Sequence, residues 1–157
     1  MKDEWIPAIG SMTYGIYVLT ASYEEKFNGM IASWVSQVSY EPLIIMVAVH
    51  PNRYTHRLIQ KSGCFALHVL LKEQKDFLKR FKGPDPAAKF QSLEWAKGHN
   101  GCPILKKCSA YLESKVIQTY QPGNHTLFLG EVTDAAKVSD AACLNTSHYE
   151  GVYLGKK

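Results

Sequence analysis

The sequence lacks both a long apolar run and a secretory leader. Its longest uninterrupted apolar stretch runs from Leu43 to Val49, far short of the ~20 residues that a transmembrane helix needs. Acidic residues interrupt the first positions, Met1 to Trp5, and no apolar stretch of signal-peptide length follows them. We therefore expect a cytoplasmic protein that does not associate with a membrane.

Basic clusters and cysteine pairs at metal-binding spacing are also missing. The 18 basic and 14 acidic residues give a net charge of +4 without a basic block, whereas nucleic-acid binding needs several cations on one face. No two of the four cysteines are separated by only two residues, which excludes a Cys-x-x-Cys metal or redox site. We expect no nucleic-acid partner, no metal site and free thiols.

The composition that is present is that of one globular domain. Hydrophobic residues make up 46% and charged residues 20% of the chain, close to the average for folded proteins. A length of 157 residues suits one core, and no repeat or linker divides the sequence. We predict a single domain over residues 1–157.

Short segments rich in β-branched and aromatic residues predict a mainly β fold. They are Gly15–Ala21, Pro42–Val49, Cys64–Leu70, Leu112–Tyr120 and Thr126–Thr133. Leu43–Val49 is apolar at every position, which predicts a strand covered on both faces. Because the strands follow one another with short connections, we expect hairpins and Greek-key topology and no repeated βαβ crossovers.

Two segments predict helices. Thr55–Ser62 begins with a residue type that caps helices and precedes Gly63, a residue type common just past a helix end. Lys72–Phe81 places its two phenylalanines and its leucine on one face, with charges elsewhere. Together with the strands, these segments predict a small β-barrel with a few flanking helices packed on its outside.

Three segments in series carry a resemblance to a known family. They are Asn28–Pro42, Asn52–His56 followed by Ser62–Ala66, and Gly123–Val132. In this order and spacing they resemble the flavin reductase-like family of FMN-binding split barrels, in particular its flavoredoxin-like members. The resemblance covers the chain from about Tyr14 to Val132, and it implies a homodimer that binds FMN near the subunit interface.

The first segment resembles a flavin-contacting strand of that family. The resemblance implies cofactor contacts by Asn28, Ala32, Ser33, Trp34, Ser36 and Ser39. Their hydroxyl and backbone N–H groups suit the phosphate and the ring edge of FMN, and Gly29 allows a close approach of the backbone. From the residues alone, a polar edge strand, a hairpin turn at Asn28 and a core position for Trp34 are alternatives.

The second segment implies a phosphate contact by Arg53 and Thr55, with Tyr54 between them in the cofactor-binding set. Arg53 offers a charged donor fork, and Thr55 opens the predicted helix, where free N–H groups favour an anion. Alternatively, Thr55 is an ordinary helix cap, Arg53 is a solvated loop residue, and Tyr54 packs against neighbouring strands.

Two further residues match the family pattern at single positions. Lys89 matches a cationic position near the flavin ring or phosphate, where its charge would raise the reduction potential of the flavin. His125 resembles a histidine that faces the flavin, and we assign it the catalytic role of donating a hydrogen bond to the ring or seating a nicotinamide. A surface lysine and a surface histidine are the alternatives. The family's closing segment also suggests Tyr149 or Tyr153 as a cover for the flavin.

The resemblance implies an oxidoreductase that moves electrons through bound FMN. Either it is a flavin reductase that takes hydride from NAD(P)H, or it is a carrier like flavoredoxin that serves a separate redox protein. The alternative from another class is a non-enzymatic small-molecule-binding β-barrel. A hydrolase is disfavoured because the segment around Ser33 lacks the glycines of a nucleophile elbow.

Overall fold

The structure is a computed structural model that describes residues 2–148. The strands are β1 (Tyr17–Tyr23), β2 (Lys26–Ala32), β3 (Val35–Tyr40), β4 (Leu43–Val49), β5 (Cys64–Val69), β6 (Trp95–Lys97), β7 (Pro103–Leu105), β8 (Ala110–Tyr120) and β9 (Thr126–Lys137). The α-helices are α1 (Ile6–Gly10), α2 (Tyr54–Ser62), α3 (Phe77–Arg80) and α4 (Pro86–Phe90). Short 3-10 helices span Asp3–Trp5 and Thr146–His148.

Seven strands form one antiparallel sheet in the order β2-β1-β5-β8-β9-β4-β3, and β6 and β7 form a separate ribbon. The two edge strands, β2 and β3, are consecutive in the chain and are separated only by Ser33 and Trp34. The sheet must therefore curl until its two edges meet at this short connection. The predicted mainly β barrel with flanking helices is confirmed.

Strand β1 lies between two cores because its successive side chains point to opposite faces. Leu19 packs inside the curled sheet with Phe65, Phe128 and Ile59 of α2. Val18 and its neighbours face a second cluster that includes Leu70, Leu105, Leu144 and the aromatic side chains Phe77, Phe81 and Phe90. This second cluster fixes α3 and α4 against the outside of the sheet.

The expectation that Leu43–Val49 forms a strand covered on both faces was wrong. The strand that is covered on both faces is β1. In β4 only alternate residues, Ile45, Val47 and Val49, are buried, while Leu43 is 37% exposed. The two strands differ because β4 lies next to the edge strand β3, whereas the second hydrophobic cluster, which contains Phe77, Phe81 and Phe90, covers the outer face of β1.

The helix predictions were correct for α2 and mostly wrong for Lys72–Phe81. Gly63 follows α2 in the left-handed conformation with φ 68°, as its residue type indicated. Only Phe77–Arg80 is helical in the second segment, because the side chain of Gln74 accepts the backbone N–H of Leu71 and holds the preceding residues in a turn. Helices α1 and α4 and strands β2, β3, β6 and β7 were not predicted.

Within residues 2–148, the structure contains no helix that is both long and apolar enough to span a bilayer.

Candidate functional site

A buried lysine on α4 organises one part of the site. Lys89 is 5% exposed, and its ammonium donates hydrogen bonds to Asn28 Oδ1 at 3.0 Å and to the Gly29 carbonyl oxygen at 2.9 Å. Asn28 in turn donates from Nδ2 to Thr55 Oγ1 at 3.0 Å. The chain of contacts links α4, β2 and α2, and both acceptors of the ammonium are uncharged.

The electrostatics of this cluster favour an anion. Burial lowers the pKa of Lys89, the nearby Arg53 charge lowers it further, and Asp85 partly opposes the shift. In the described part of the chain, neither Lys89 nor Arg53 forms an ion pair with a carboxylate. Arg53 also lies exposed at the N-terminal end of α2, where the first N–H groups have no intrahelical acceptor.

Aromatic rings form the second part of the site. The rings of Trp34 and His125 lie 4.7 Å apart, centroid to centroid, and the ring of His50 meets His125 edge-on at 5.1 Å. Trp34 follows β2, His50 follows β4 and His125 precedes β9. The antiparallel pairing of β4 with β9, in which Val49 lies opposite Thr126, brings the two histidines together.

Partial burial lowers the pKa of His125, and the charges of His50 and Arg53 lower it further. The imidazole is therefore neutral at neutral pH. Its Nδ1 lies 2.8 Å from Asn124 Oδ1, so the acceptor fixes the ring proton on Nδ1. The Arg53 charge contributes to the lowered pKa of both Lys89 and His125, so the guanidinium is near enough to influence both parts of the site.

The structure thus brings together six of the predicted site residues: Asn28, Trp34, Arg53, Thr55, Lys89 and His125. Ala32 and Ser33 are buried where β2 ends, next to Trp34, and Tyr54 is partly exposed at the start of α2.

The remaining two serines lie along the edge strand β3. Ser36 is exposed and its hydroxyl donates to the Gln37 carbonyl oxygen. Ser39 lies opposite Ile44, whereas Val35 at the start of the strand lies opposite Val47. Strand rise puts Ser39 about 13 Å beyond Val35, and its contact with a cofactor stays a prediction.

Two of the roles expected for individual residues need correction. Thr55 is not the helix cap, since α2 begins at Tyr54 and the N-cap position is Arg53. Its side chain is fully buried and holds Asn28, so its contribution to an anion site is indirect. A side chain at Gly29 would meet the ring of Phe81, with a Cβ contact of 2.6 Å, so packing explains this glycine.

Sequence reasoning missed two histidines. His50 was not among the predicted site residues, yet its ring contacts His125. His56 is buried in α2 with Nε2 2.8 Å from Thr126 Oγ1, and its Nδ1 has no partner among the described residues. Burial lowers the pKa of His56, as do the charges of His50 and Arg57. Only the strand pairing, which sequence does not reveal, could have indicated these contacts.

Tyr149 and Tyr153 lie outside the described residues.

The sequence is similar to characterised flavin and iron redox proteins. It is 32% identical over 155 residues to a ferric-chelate reductase (NAD(P)H) of Archaeoglobus fulgidus, covering 96% of this chain and 92% of the relative. It is 33% identical over 152 residues to a high molecular weight rubredoxin of Moorella thermoacetica, covering 94% of this chain and 66% of the relative. The chain thus spans slightly less than two thirds of this relative, and it spans about a quarter of the cyanobacterial diflavin flavoproteins that it also matches.

The fold is similar to that of solved flavin reductases. An NADH:FAD oxidoreductase of Streptomyces globisporus C-1027, solved with NAD and FAD fragments, superposes with a TM-score of 0.81 at 26% identity, covering 88% of this chain and 83% of that chain. These relatives support flavin-based electron transfer, and none of them supports a barrel without redox function. The model of the flavin reductase like domain matches residues 9–153, and the chain belongs to the flavin reductase-like family.

Proposed function

We propose that this protein binds FMN and moves electrons through it, from NAD(P)H or a reduced redox protein to an acceptor. The observation that carries the choice of FMN is the pair of cations, Lys89 and Arg53, neither of which forms an ion pair within residues 2–148. FMN ends in a phosphate, which such a pair binds well.

The residues fit the two ends of FMN. Arg53, Lys89 and the first N–H groups of α2 suit the phosphate, while the Trp34 and His125 rings suit the flat isoalloxazine. When bound, FMN supplies both two-electron and one-electron redox chemistry. The resemblance also allows Lys89 to lie beside the flavin ring. In that case the ammonium would contact the ring end of the cofactor and not the phosphate.

The residues of the candidate site have separate roles in this proposal. Thr55 orients Asn28, and Asn28 orients the Lys89 ammonium, so these two act as positioning residues for the charge. Because Asn124 Oδ1 accepts the Nδ1 proton, neutral His125 presents Nε2 as a hydrogen-bond acceptor, so it would accept a hydrogen bond from the flavin ring and not donate one. Trp34 covers one side of His125 and excludes water from it.

The relatives suggest the donors and acceptors to test. The NAD(P)H named for the Archaeoglobus protein is our proposed electron donor, and the rubredoxin named for the Moorella protein suggests a separate iron–sulfur redox partner. The four cysteines are free thiols, which fits the reducing cytoplasm as the proposed location.

The test is a flavin titration followed by a turnover assay. We expect protein purified without flavin to quench FMN fluorescence with a saturable curve and to bind riboflavin, which lacks the phosphate, more weakly. Slow NADH oxidation by the FMN-loaded protein alone, accelerated by added rubredoxin, would identify a carrier, whereas fast turnover with excess free flavin would identify a reductase. Failure to bind any flavin would overturn the proposal.

We also propose that two copies form a homodimer through the end of the sheet that carries β3. Apolar side chains are exposed on two adjacent strands there: Val38 and Tyr40 on β3 and Leu43, which lies opposite Tyr40, on β4. Tyr40 is 86% exposed, and an apolar patch of this kind is typical of a protein–protein interface. A second copy placed there would also lie beside Ser36 and Ser39.

Sedimentation velocity tests the homodimer. The parent protein should sediment as a dimer, and Tyr40→Glu should shift it toward the monomer because burial of a carboxylate opposes association. Val138→Glu is the matched control, since Val138 is also an exposed apolar residue but follows the end of β9, outside the part of β9 that pairs with β4. A monomeric parent, or equal dissociation in both variants, would contradict the assignment of this surface.

A further inference from the structure

Two cysteines that are distant in sequence lie side by side outside the candidate flavin site. Cys64 Sγ at the start of β5 is 4.0 Å from Cys102 Sγ in the segment before β7. Both thiols are free. Cys64 is partly exposed, and Cys102 is fully buried beneath it. The pair therefore combines one thiol that a small reagent reaches with a second thiol that is shielded from solvent.

The segment that carries Cys102 is held by a network of hydrogen bonds. The buried carboxylate of Glu113 accepts the backbone N–H groups of His99 and Asn100 at 3.1 and 2.7 Å. The Asn100 side chain donates to the Phe65 carbonyl oxygen and accepts the Cys102 backbone N–H. Because Phe65 follows Cys64 directly on β5, Asn100 ties the backbone of one cysteine to that of the other.

The two thiols differ in reactivity. The hydrogen bond from the Cys102 thiol lowers the pKa of Cys64, a bond with Ser62 lowers it further, and together they outweigh the opposing effects of burial and of Glu113. The same hydrogen bond and burial raise the pKa of Cys102. Since the thiolate is the nucleophilic form, Cys64 is the attacking sulfur and Cys102 is the proton-bearing neighbour.

We propose that Cys64 and Cys102 form a dithiol site that is oxidised by hydroperoxides to a reversible disulfide. In the first step, the Cys64 thiolate attacks a peroxide oxygen, the O–O bond breaks, and the leaving oxygen takes up a proton as water or an alcohol. Cys64 is thereby oxidised to a sulfenic acid. In the second step, the Cys102 sulfur attacks the Cys64 sulfur, and water leaves with the thiol proton. Two thiols and one hydroperoxide thus give one disulfide, one water or alcohol, and one further water.

The geometry supports the second step. A disulfide needs a sulfur–sulfur distance near 2.05 Å, so the two sulfurs must approach each other by about 2 Å, a movement within reach of rotations about the Cα–Cβ bonds. The other two cysteines have different neighbours: Cys108 Sγ donates to the Leu105 carbonyl oxygen, and Cys143 Sγ contacts Ser109 Oγ. Burial raises the pKa of Cys108 to about 11, which makes it a poor nucleophile.

The test uses the full chain without flavin, so its outcome is independent of the proposed redox activity. Reduced protein is treated with hydrogen peroxide, quenched with catalase, denatured and alkylated. We expect the loss of two of the four thiols, a mass lower by two hydrogen atoms before alkylation, and one cross-linked peptide pair joining Cys64 to Cys102, all reversed by dithiothreitol.

Single variants separate the two roles. Cys64→Ser should retain its three thiols under the same treatment, whereas Cys102→Ser should accumulate a sulfenic acid at Cys64 that dimedone traps. Cys143→Ser, the matched control at an exposed cysteine, should still lose two thiols. Persistence of four thiols in the parent, a cross-link between other cysteines, or an unchanged thiol loss in Cys64→Ser would overturn the proposal.

Discussion

The Lys89 ammonium lies 3.0 Å from Asn28 Oδ1, across 61 positions of sequence, and both side chains are buried. A buried charge normally pairs with an opposite charge, yet the second acceptor here is a backbone carbonyl oxygen, that of Gly29. An anion placed next to Lys89 would complete the ammonium's third hydrogen bond. The pair is therefore the most specific indication that the chain holds a phosphate.

We expect Lys89→Met to weaken FMN binding by roughly tenfold to a hundredfold, because a charge-assisted hydrogen bond contributes about 1.5–3 kcal/mol. Methionine keeps much of the side-chain volume and leaves the buried position apolar. Fluorescence titration with FMN measures the effect. Riboflavin affinity should stay within about twofold of the parent if the ammonium meets the phosphate.

Lys79→Met provides the control for Lys89→Met, since Lys79 is exposed on α3. It should bind FMN as the parent does. An equal loss of FMN and riboflavin affinity in Lys89→Met would indicate that Lys89 contacts the flavin ring and not the phosphate. Unchanged affinity for both ligands would remove Lys89 from the site.

Arg53→Ala should weaken FMN binding about tenfold with little effect on the free energy of unfolding, because the Arg53 side chain is exposed. One charge-assisted hydrogen bond of about 1.5 kcal/mol accounts for a factor of that size. Arg57→Ala is the matched control, one turn further along α2 and also exposed. Equal FMN affinity in Arg53→Ala and the parent would exclude the phosphate contact.

The same variant has a second effect that needs no ligand. The Arg53 charge lowers the pKa of His125, so its removal in Arg53→Ala should raise that pKa toward the ordinary histidine value. An NMR titration of the imidazole resonances measures it. An unmoved titration would show that Arg53 is too far from His125 to join the two parts of the site.

The sequence predicted the fold well where local rules suffice. Gly63 marks the end of α2 because a left-handed residue ends a helix there, and β5 was recognised from its β-branched and aromatic residues. Helix α3 was predicted too long, since its apolar spacing continues into residues where Gln74 instead binds the backbone. Tertiary hydrogen bonds of that kind leave no periodic signal in the sequence.

The site was predictable only in part, because pairwise contacts depend on strand pairing. The family resemblance indicated Lys89 and His125, but it could not show that Lys89 contacts Asn28 or that His50 contacts His125. It also suggested a direct phosphate contact by Thr55, whose side chain is buried and bonded to Asn28. Such corrections concern which atom a side chain touches, and only the three-dimensional arrangement gives that information.

His125→Ala should leave FMN binding nearly intact while changing the redox behaviour. The loss of one ring hydrogen bond of about 1 kcal/mol corresponds to a shift on the order of 20 mV in a two-electron potential. We expect a shift of that order in the potential of bound FMN, or a reduced NADH oxidation rate. Redox titration and stopped-flow kinetics measure the two quantities.

His99→Ala is the control for His125→Ala, because His99 is an exposed histidine on the 98–102 segment, and its polar contacts are to Glu113 and Asp134. It should leave potential and rate unchanged. Unchanged potential and unchanged rate in His125→Ala itself would exclude His125 from the catalytic site.

A fully buried histidine makes the stability of the fold depend on pH. The Nδ1 proton of His68 binds the Val18 carbonyl oxygen at 3.1 Å, and Nε2 accepts the Leu105 backbone N–H at 3.2 Å. The second bond requires the neutral ring, because an imidazolium has no lone pair to accept the Leu105 N–H, and burial lowers the pKa of His68 to about 4 although the Val18 bond opposes the shift. The imidazole of His68 on β5 thus links β1 and β7 through one hydrogen bond to each strand.

The unfolded chain binds the His68 proton at an ordinary pKa near 6.5, above the folded value, so the stabilisation is complete above pH 6.5 and is lost as the pH falls toward 4. His68→Gln removes this titration. The difference in unfolding free energy between the parent and His68→Gln should therefore shrink by about 2 kcal/mol from pH 7 to pH 4.5. Urea unfolding at both pH values measures it, and groups that titrate equally in both proteins, His56 among them, cancel in the comparison. A difference that stays constant with pH would mean that His68 is protonated at the same pH in the folded and unfolded chains, and that burial and the bond from Leu105 do not hold the ring neutral.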